Sequence, residues 1–330
     1  MVRPTDWPPT GFIGAGRLGW ALATALARRG WPVVACASQQ GESARRLAAA
    51  IPGCVATTAT GVVERSRLVV LAVPDRAIAP LAAALPWQPG QGVVHLSGAL
   101  GLEVLAPVRA RGGAVGRLHP LLSAPPVGSA DDPFAGIFCA VEAEPALQPV
   151  LADLVQTLGA HLLRLPALDA TGRALYHVAA VLVGNYSLTL LALASDLLAR
   201  LGLPPATARP ALLGLWRSVL RNLEQVPPEA ALTGPVARGD VATVAQHLAA
   251  LGQTDPTLAR LYALLGQATL GLVWSRLPAT ARTVLAARLA EAHQDPWPNM
   301  DQKGEGHADH DRDSARVQAA RREDHDGHGL

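Results

Sequence analysis

The fold is decided by Thr10-Gly-Phe-Ile-Gly-Ala-Gly-Arg-Leu-Gly-Trp20. This stretch predicts a short buried strand up to Ile13 and a helix, rich in Ala and Leu, from about Arg17. Its three glycines have the G-x-G-x-x-G spacing, in which the first permits a tight turn, the second lets the backbone approach a pyrophosphate, and the third lets helix pack on strand. A plain turn is the alternative. We predict that a dinucleotide is bound here by Gly14, Ala15, Gly16, Arg17, Leu18 and Gly19.

The second strand indicates which dinucleotide is bound. Pro32-Val-Val-Ala-Cys-Ala37 is a continuous apolar run, as expected for a strand buried on both faces of a parallel sheet. Sites for NAD place an acid after such a strand to hold the ribose hydroxyls, whereas sites for NADP do not. Here Ser38-Gln39-Gln40 follows, without an acid. We therefore expect NADP rather than NAD, with Ser38 at the cofactor. Arg17 either adds a cation near the phosphates or is a solvated first-turn arginine.

Further apolar runs at 68–73, 92–96 and 114–119 predict more strands of the same sheet. Ligands of doubly wound sheets lie beyond the carboxyl ends of the strands. The residues at these ends are therefore expected to border the nicotinamide and the substrate: Val73, Pro74, Ser97, Gly98 and His119. His119 is a candidate acid/base or substrate-orienting residue, and the alternative is a histidine that bonds a loop carbonyl.

Two other polar residues near these strand ends are given structural roles. Asp75 precedes a predicted helix over 76–85, and we expect it to act as the N-cap of that helix. His95 lies inside its strand, so we expect it to belong to the core.

The pattern changes from strands to helices at about Asp169. A strand over 137–142, a helix over 145–158 and a strand over 161–165 precede this point, and no strand pattern follows it. We predict a dinucleotide-binding Rossmann-type α/β domain with a doubly wound parallel sheet over 1–168. A helical substrate and dimerisation domain follows over 169–293, then a disordered tail over 294–330. The four histidines of the tail are not expected to form a functional metal site, and no metal is expected elsewhere.

The predicted long helix from Asp169 to Leu201 is largely apolar, so its polar residues are informative. Asn185, Thr189 and Asp196 lie within roughly 40° on a helical wheel, and His177 lies about 80° from Asn185. Such a stripe lines a substrate cleft or, alternatively, its members satisfy one another and backbone carbonyls.

The loop over 231–240 is polar and contains glycines. Arg238 in this loop is a candidate anchor for a carboxylate or a phosphate. Thr233 is a weaker candidate for substrate contact. Asp240 is expected to cap the next helix.

Composition excludes several classes of protein. The chain has 330 residues, 50% of them hydrophobic, and a net charge of +2, with no basic stripe for nucleic acid. Its three cysteines have no C-x-x-C spacing, and its first ten residues lack the apolar region of a signal peptide. Val178–Ala194 is apolar, but it is shorter than the ~20 residues that span a membrane, so a buried or dimer-interface helix is expected. We predict a cytoplasmic protein without nucleic-acid or membrane partners.

The motifs of the sheet resemble those of one oxidoreductase superfamily. G-F-I-G-A-G-R-L-G, V-V-L-A-V-P-D, H-L-S-G-A-L-G and L-H-P-L are similar to successive segments of 6-phosphogluconate dehydrogenase, pyrroline-5-carboxylate reductase and F420-dependent NADP reductases. The segments 176–185 and 231–244 resemble one uncharacterised branch, which pairs a Rossmann-like domain with a helical domain of unknown function. The resemblance covers residues ~9–290 and leaves out the tail.

The resemblance implies an NADP-type fold and a homodimer built through the helical domain, but no reaction. Related 3-hydroxyacid dehydrogenases carry a Lys and an Asn one turn apart on the long helix, and no lysine lies between Asp169 and Leu201. Tyr176 or His177 is the candidate substitute, and His177 and Asn185 are expected to orient the substrate or transfer a proton.

The leading functional prediction is an NADP-dependent oxidoreductase that transfers hydride to or from a small carbonyl or imine compound. The alternative is an NADP(H)-binding sensor or scaffold without turnover. A deazaflavin-linked reductase is a weaker third prediction, which only the likeness of fold supports.

Overall fold

The computed structural model describes residues 7–292, and an eight-stranded sheet organises the first part of them. The strands are β1 (Thr10–Ile13), β2 (Val33–Ala37), β3 (Val55–Ala56), β4 (Leu68–Leu71), β5 (Gly92–His95), β6 (Ala114–Pro120), β7 (Phe138–Ala143) and β8 (His161–Arg164). Their order across the sheet is β3-β2-β1-β4-β5-β6-β7-β8. The strands from β3 to β6 are parallel, in the order of a Rossmann fold. The predicted fold class is confirmed.

Helices alternate with the strands and then replace them. The α-helices are α1 (Arg17–Arg28), α2 (Gly41–Ala50), α3 (Ala59–Arg65), α4 (Asp75–Ala84), α5 (Ala106–Ala110), α6 (Gln148–Thr157), α7 (Ala170–Arg200), α8 (Pro205–Leu223), α9 (Pro228–Ala231), α10 (Pro235–Arg238), α11 (Val241–Thr254), α12 (Pro256–Val273) and α13 (Ala279–Glu291). Short 3₁₀ helices lie at Leu102–Leu105 and Trp274–Arg276.

The sheet is covered on both faces, which explains its apolar strands. All four residues of β1 and of β4 are buried. One core cluster includes Phe12 with Leu22 and Leu26 of α1, and a second includes Ile13 with Ile78 of α4. Because successive side chains of a strand point to opposite faces, neighbours such as Phe12 and Ile13 enter different clusters.

The last two strands depart from the expected parallel arrangement. β7 runs antiparallel to β6, with Leu118 opposite Val141, and β8 is parallel to β7. A parallel pair needs a crossover connection of a dozen or more residues, usually a helix. Residues 121–137 between β6 and β7 contain no helix, and the chain returns antiparallel. The sheet is therefore mostly, and not wholly, parallel.

The chain forms two compact units, one ending at Gly202 and the next beginning at Leu203. α7 therefore belongs to the same unit as the sheet. The predicted boundary at residue 169 lies before α7, because the prediction was based on where the strand pattern ends and not on how α7 packs. The domain limits stay a prediction, and the predicted tail at 294–330 lies outside the described residues.

α7 is a 31-residue helix with defined ends. Oδ1 of Asp169 accepts a hydrogen bond from the backbone N–H of Gly172 at 2.7 Å, which caps the start, and Gly202 has a φ of +83° just after the end. None of its residues is buried, so the expectation of a buried helix is wrong and a dimer interface stays a prediction. By length and composition alone, α7 is also able to cross a membrane.

The second unit has its own core. Apolar residues of α10 to α13 and of the segment before α13 share it: Val236, Val244, Ala263, Leu270, Val273, Leu277, Leu285 and Leu289. Oδ1 of Asp240 accepts a hydrogen bond from the backbone N–H of Thr243 at 3.0 Å. Asp240 is therefore the N-cap of α11, as predicted.

Candidate functional site

The glycine loop between β1 and α1 has the geometry that its spacing predicts. Gly14 has a φ of +110°, and a Cβ there would collide with the carbonyl oxygen of Ala72. A Cβ at Gly19 would collide with the carbonyl oxygen of Gly14. At Gly16, in contrast, a Cβ would meet no atom within 4 Å. The loop is thus tight where it turns and open where a phosphate would approach.

The start of α1 suits an anion. Gly16 is its N-cap and offers no side-chain hydrogen bond, and the first turn holds no acidic residue. The first amides of a helix lack intrahelical partners and carry partial positive charge, which favours a phosphate. Arg17, in the same turn, is exposed and adds a full positive charge. The residues present therefore fit a dinucleotide pyrophosphate.

The other predicted cofactor residues lie at the same edge of the sheet. The backbone N–H of Gly14 donates to the carbonyl oxygen of Ala37, so Ser38 follows directly beside the loop. Val73 and Pro74 follow β4, and Cγ1 of Val73 lies 3.1 Å from where a Gly14 Cβ would be.

A cavity of about 720 Å³ begins at Arg17, the first residue of α1 after the glycine loop. It is lined by Arg17, by residues 119–124 after β6, and by one face of α7 from Tyr176 to Leu188. Pockets of 300–1,000 Å³ are typical of small-molecule sites. Arg17, His119, Tyr176, His177 and Asn185 therefore share one cavity within the first unit, which joins the predicted cofactor loop to the predicted catalytic residues.

His119 and Tyr176 form a hydrogen-bonded pair at one end of this cavity. Nδ1 of His119 lies 2.7 Å from the Tyr176 hydroxyl oxygen. Burial, with smaller effects of His177 and Arg117, lowers the pKa of His119 to about 4. Burial raises the pKa of Tyr176 to about 12. Both side chains are therefore neutral near pH 7.

Gly98 brings two histidine nitrogens to one place. A Cβ on Gly98 would lie 2.6 Å from Nδ1 of His177 and 2.7 Å from Nε2 of His119. Nδ1 of His177 is buried and has no hydrogen-bond partner within the described residues. A buried polar atom without a partner costs free energy. Both imidazole rings therefore pack against the backbone of Gly98.

Ser97 and Asp75 hold the ends of β4 and β5 together. The Ser97 hydroxyl donates to Oδ2 of Asp75 at 2.8 Å and accepts from the backbone N–H groups of Ala99 and Leu100. The N-cap of α4 is Pro74, and Asp75 is the first residue of the helix. The expectation that Asp75 caps this helix is therefore wrong, because its carboxylate is drawn to the Ser97 hydroxyl. The substrate role of Ser97 stays a prediction.

Arg117 is a site residue that the sequence pattern does not reveal. Its side chain is almost fully buried and pairs with Glu142 at 3.3 Å. It also donates to the carbonyl oxygens of Gly98 and Leu100 at 3.4 Å, and its guanidinium carbon lies 5.9 Å from the centre of the Tyr176 ring. A charged residue inside an apolar strand, opposite an acid on the next strand, is the signal that would find it.

Other residues singled out in the sequence lie in the core or in the second unit. His95 is fully buried and belongs to the core, as predicted. Thr233 and Arg238 lie in the second unit, Arg238 as the last residue of α10. Within residues 7–292, no group of three His, Cys, Asp or Glu side chains is arranged to hold a metal ion.

The fold and this cavity define the class: a Rossmann-like protein with a helical C-terminal region. Residues 5–120 match the family model of the Rossmann-like domain, and residues 137–269 match that of a domain of unknown function, DUF2520. The chain therefore pairs a Rossmann-like domain with a DUF2520 domain, which confirms the resemblance to that branch of the superfamily. None of the curated proteins matches the sequence.

Solved structures extend the likeness. A proposed NADP oxidoreductase from Bacteroides fragilis is 28% identical, with a TM-score of 0.68 over 80% of this chain and 98% of that one. Pyrroline-5-carboxylate reductase from Streptococcus pyogenes is 15% identical, with a TM-score of 0.55 over 87% and 98%. A reductive aminase from Aspergillus terreus, in complex with NADPH and ethyl-5-oxohexanoate, is 17% identical, with a TM-score of 0.50 over 87% and 94%. The last two likenesses concern the fold alone.

Proposed function

We propose that the protein is an NADP-dependent oxidoreductase that transfers hydride to or from a small carbonyl or imine compound. One observation carries the proposal: Arg17, which follows the glycine loop, lines the same cavity of about 720 Å³ as His119, Tyr176 and His177. A cofactor held at Gly14, Gly16 and Arg17 would extend its nicotinamide toward Val73, Pro74 and Gly98.

Two observations support NADP as the cofactor. Ser38-Gln39-Gln40 after β2 offers no acid to the ribose hydroxyls and therefore does not repel a 2′-phosphate. The Bacteroides protein, at 28% identity, is described as an NADP oxidoreductase, and the Aspergillus enzyme binds NADPH. NADPH, when bound, supplies the hydride that reduces the carbonyl or imine carbon.

The protein's own residues supply the proton and hold the substrate. Reduction of a carbonyl to an alcohol adds one hydride to carbon and one proton to oxygen. We assign the proton to the imidazole of His177, which lines the cavity next to the His119 ring. The Tyr176 hydroxyl holds His119 through Nδ1, and Asn185, two turns after His177, orients the substrate. These roles replace the lysine that α7 lacks.

The first test is a fluorescence titration of the full chain with NADPH and with NADH. We expect NADPH to bind at least about ten-fold more tightly, and Ser38→Asp to reverse the preference, because the new acid repels a 2′-phosphate and accepts the ribose hydroxyls. Equal binding of both nucleotides would contradict the assignment of NADP. Binding of neither would remove the proposal.

The second test follows NADPH oxidation at saturating cofactor with aldehydes, ketones and cyclic imines. General acid catalysis contributes about 10²–10⁴ in rate, so His177→Ala should lose at least about 100-fold in kcat. His161→Ala, on the exposed strand β8, is the matched control and should keep its activity. A His177→Ala protein with unchanged turnover would remove the role of His177. Tight binding of NADPH without turnover of any substrate would favour the sensor or scaffold.

We further propose that the protein is a homodimer through the exposed face of α7. Leu175, Leu182, Val183 and Tyr186 are each at least half exposed, and residues 174–195 contain no Asp, Glu, Lys or Arg. Large exposed apolar patches mark interaction sites, and an uncharged face meets its own copy across a two-fold axis without repulsion. A second copy is therefore the proposed occupant, and a membrane is the competing outcome of the test.

A further inference from the structure

A buried arginine lies beside the candidate site without entering it. Arg117 and His119 are two residues apart on β6, so their side chains point to the same face of the sheet. The Arg117 side chain is only 2% exposed, and it pairs with Glu142, which lies opposite on β7 and is 41% exposed. The described residues that line the cavity include His119 but not Arg117. Arg117 therefore acts on the site through its neighbours.

The guanidinium of Arg117 holds the loop after β5. Nη1 of Arg117 donates to the carbonyl oxygens of Gly98 and Leu100, each at 3.4 Å. The rings of His119 and His177 pack against the backbone of Gly98, where a Cβ would lie within 2.7 Å of a nitrogen of each ring. Arg117 therefore fixes the backbone against which both rings rest.

The same guanidinium lies next to the ring of Tyr176 on α7. Its central carbon is 5.9 Å from the centre of that ring, which is within the range of a cation–π contact. The Tyr176 hydroxyl oxygen in turn lies 2.7 Å from Nδ1 of His119. Arg117 therefore contacts the hydrogen-bond partner of the His119 ring as well as the backbone against which that ring packs.

Stability alone does not explain a buried ion pair of this kind. Apolar side chains of similar volume often stabilise a fold as well as a buried ion pair does, because the two charges must lose water. An arginine differs from apolar residues, and from a lysine, in its planar fork of donors, which binds several acceptors in fixed directions. Arg117 uses this fork on Glu142 of β7 and on the loop after β5. This use indicates that it orients its neighbours.

We propose that Arg117 is a positioning residue of the proposed reductase. Held by Glu142, its guanidinium keeps the Gly98 backbone and the Tyr176 ring in place, and these two groups keep the two histidine rings at the end of the cavity. This inference rests on the proposed reductase function. Arg117 itself takes no part in the transfer of hydride or proton.

The kinetic test replaces the ion pair by apolar residues. Arg117→Met together with Glu142→Leu removes both charges, so no buried charge is left unpaired. We expect kcat for NADPH oxidation to fall at least about ten-fold, because misplaced catalytic groups lose rate steeply. KM for the carbonyl or imine compound should stay within about three-fold, since the lost contacts act on the reacting groups and not on binding. An unchanged kcat would overturn the proposal.

Arg109→Met is the matched control. Arg109 forms an ion pair with Glu144, the residue after β7, and this pair is partly exposed. Its loss should leave kcat unchanged, so an equal fall in kcat in both proteins would overturn the assignment to Arg117.

A second variant covers the case in which the double variant does not fold, as judged by near-ultraviolet circular dichroism. Glu142→Gln weakens the hold on Arg117, since a hydrogen bond between two charged groups is about twice as strong as a neutral one, and kcat should fall at least about three-fold. In that case a Glu142→Gln protein with the kcat of the wild type would overturn the proposal.

A titration of His119 tests the same role without turnover. His119 is faced by Tyr176 and His177 of α7, by Arg117 of β6 and by Asp75 of α4. Burial, with smaller effects of His177 and Arg117, lowers the pKa of His119 to about 4, and Asp75 opposes this. NMR of labelled histidine in the full-length double variant should show a pKa of His119 that is higher, yet below 6.5 because the ring stays buried. An unchanged or lower pKa would overturn the proposal.

This titration separates the inference from the proposed function. If no carbonyl or imine compound oxidises NADPH, the reductase function fails, and a His119 pKa that rises in the double variant and not in Arg109→Met still supports the action of Arg117 on the ring. If NADPH is oxidised and the pKa of His119 does not move, the reductase function stands and the role of Arg117 is removed.

Discussion

His95 makes the sheet unit sensitive to acid, and the size of the effect follows from its surroundings. The ring is fully buried at the end of β5. Its Nδ1 accepts the backbone N–H of Ser97 at 3.3 Å, and its Nε2 lies 3.3 Å from the carbonyl oxygen of Gly101. Nδ1 is therefore an acceptor, and a proton on it would break the bond to Ser97. Burial lowers the pKa of His95 from its ordinary value of 6.5 to about 4, although the Gly101 carbonyl favours the charged ring.

The sign of the effect follows from proton linkage. Between pH 6.5 and about 4 the unfolded chain binds a proton at His95 and the folded chain does not. Stability is therefore full above pH 6.5 and falls as the pH falls toward 4. At about 1.4 kcal/mol per pH unit, the complete effect is about 3 kcal/mol, of which roughly 2 kcal/mol is expressed between pH 7 and pH 4.5.

The measurement is urea unfolding of the wild type and of His95→Gln at pH 7 and pH 4.5. The Gln side chain takes up no proton, so its variant should lose roughly 2 kcal/mol less stability than the wild type over this interval. The difference at pH 7 reports the change of packing, and only the change in that difference reports protonation. His119 titrates in both proteins and therefore cancels. Parallel losses in the two proteins would refute the reasoning.

Two further predictions concern catalysis and assembly. Gly98→Ala places a Cβ against His119 and His177, so kcat should fall at least about ten-fold while the Kd of NADPH stays within two-fold. The control variant Ala99→Gly should change neither value. A Gly98→Ala protein with unchanged kcat would contradict the catalytic role of the two rings. Leu182→Asp puts a charge on the exposed face of α7 and should give a monomer in sedimentation velocity. Val55→Asp on β3 is the control and should leave the dimer intact. A wild-type chain that is monomeric, or that binds to neutral vesicles, would contradict the proposed dimer interface.

The sheet could be predicted from the sequence because its signals are local. The apolar runs at β1 and β4 give strands buried on both faces, and the glycine spacing gives the turn into α1. β1 begins at Thr10 and α1 begins at Arg17, as predicted. Each of these features depends on a few neighbouring residues, so tertiary structure does not overrule it.

Features that depend on distant parts of the chain could not be predicted in this way. Asp75 has the pattern of an N-cap, but its carboxylate accepts the Ser97 hydroxyl, from the end of a different strand. Arg117 is a charged residue in an otherwise apolar strand, and its role becomes clear only because Glu142 lies opposite it on β7 and forms an ion pair with it. The exposure of α7 was also hidden, because an apolar helix looks the same whether its own chain or another surface covers it.

The candidate site is predicted in part, and the reason lies in helix geometry. His177 and Asn185 are eight residues apart, which puts them on neighbouring parts of one helix face, and both line the cavity. The pairing of Tyr176 with His119 requires that β6 end opposite the start of α7, which no local pattern states.

Burial sets the protonation state of the pair at the end of the cavity. Burial keeps His119 neutral and raises the pKa of Tyr176, so the pair is neutral near pH 7 and presents no charge to the substrate. A lysine on α7 would add a positive charge beside this neutral pair.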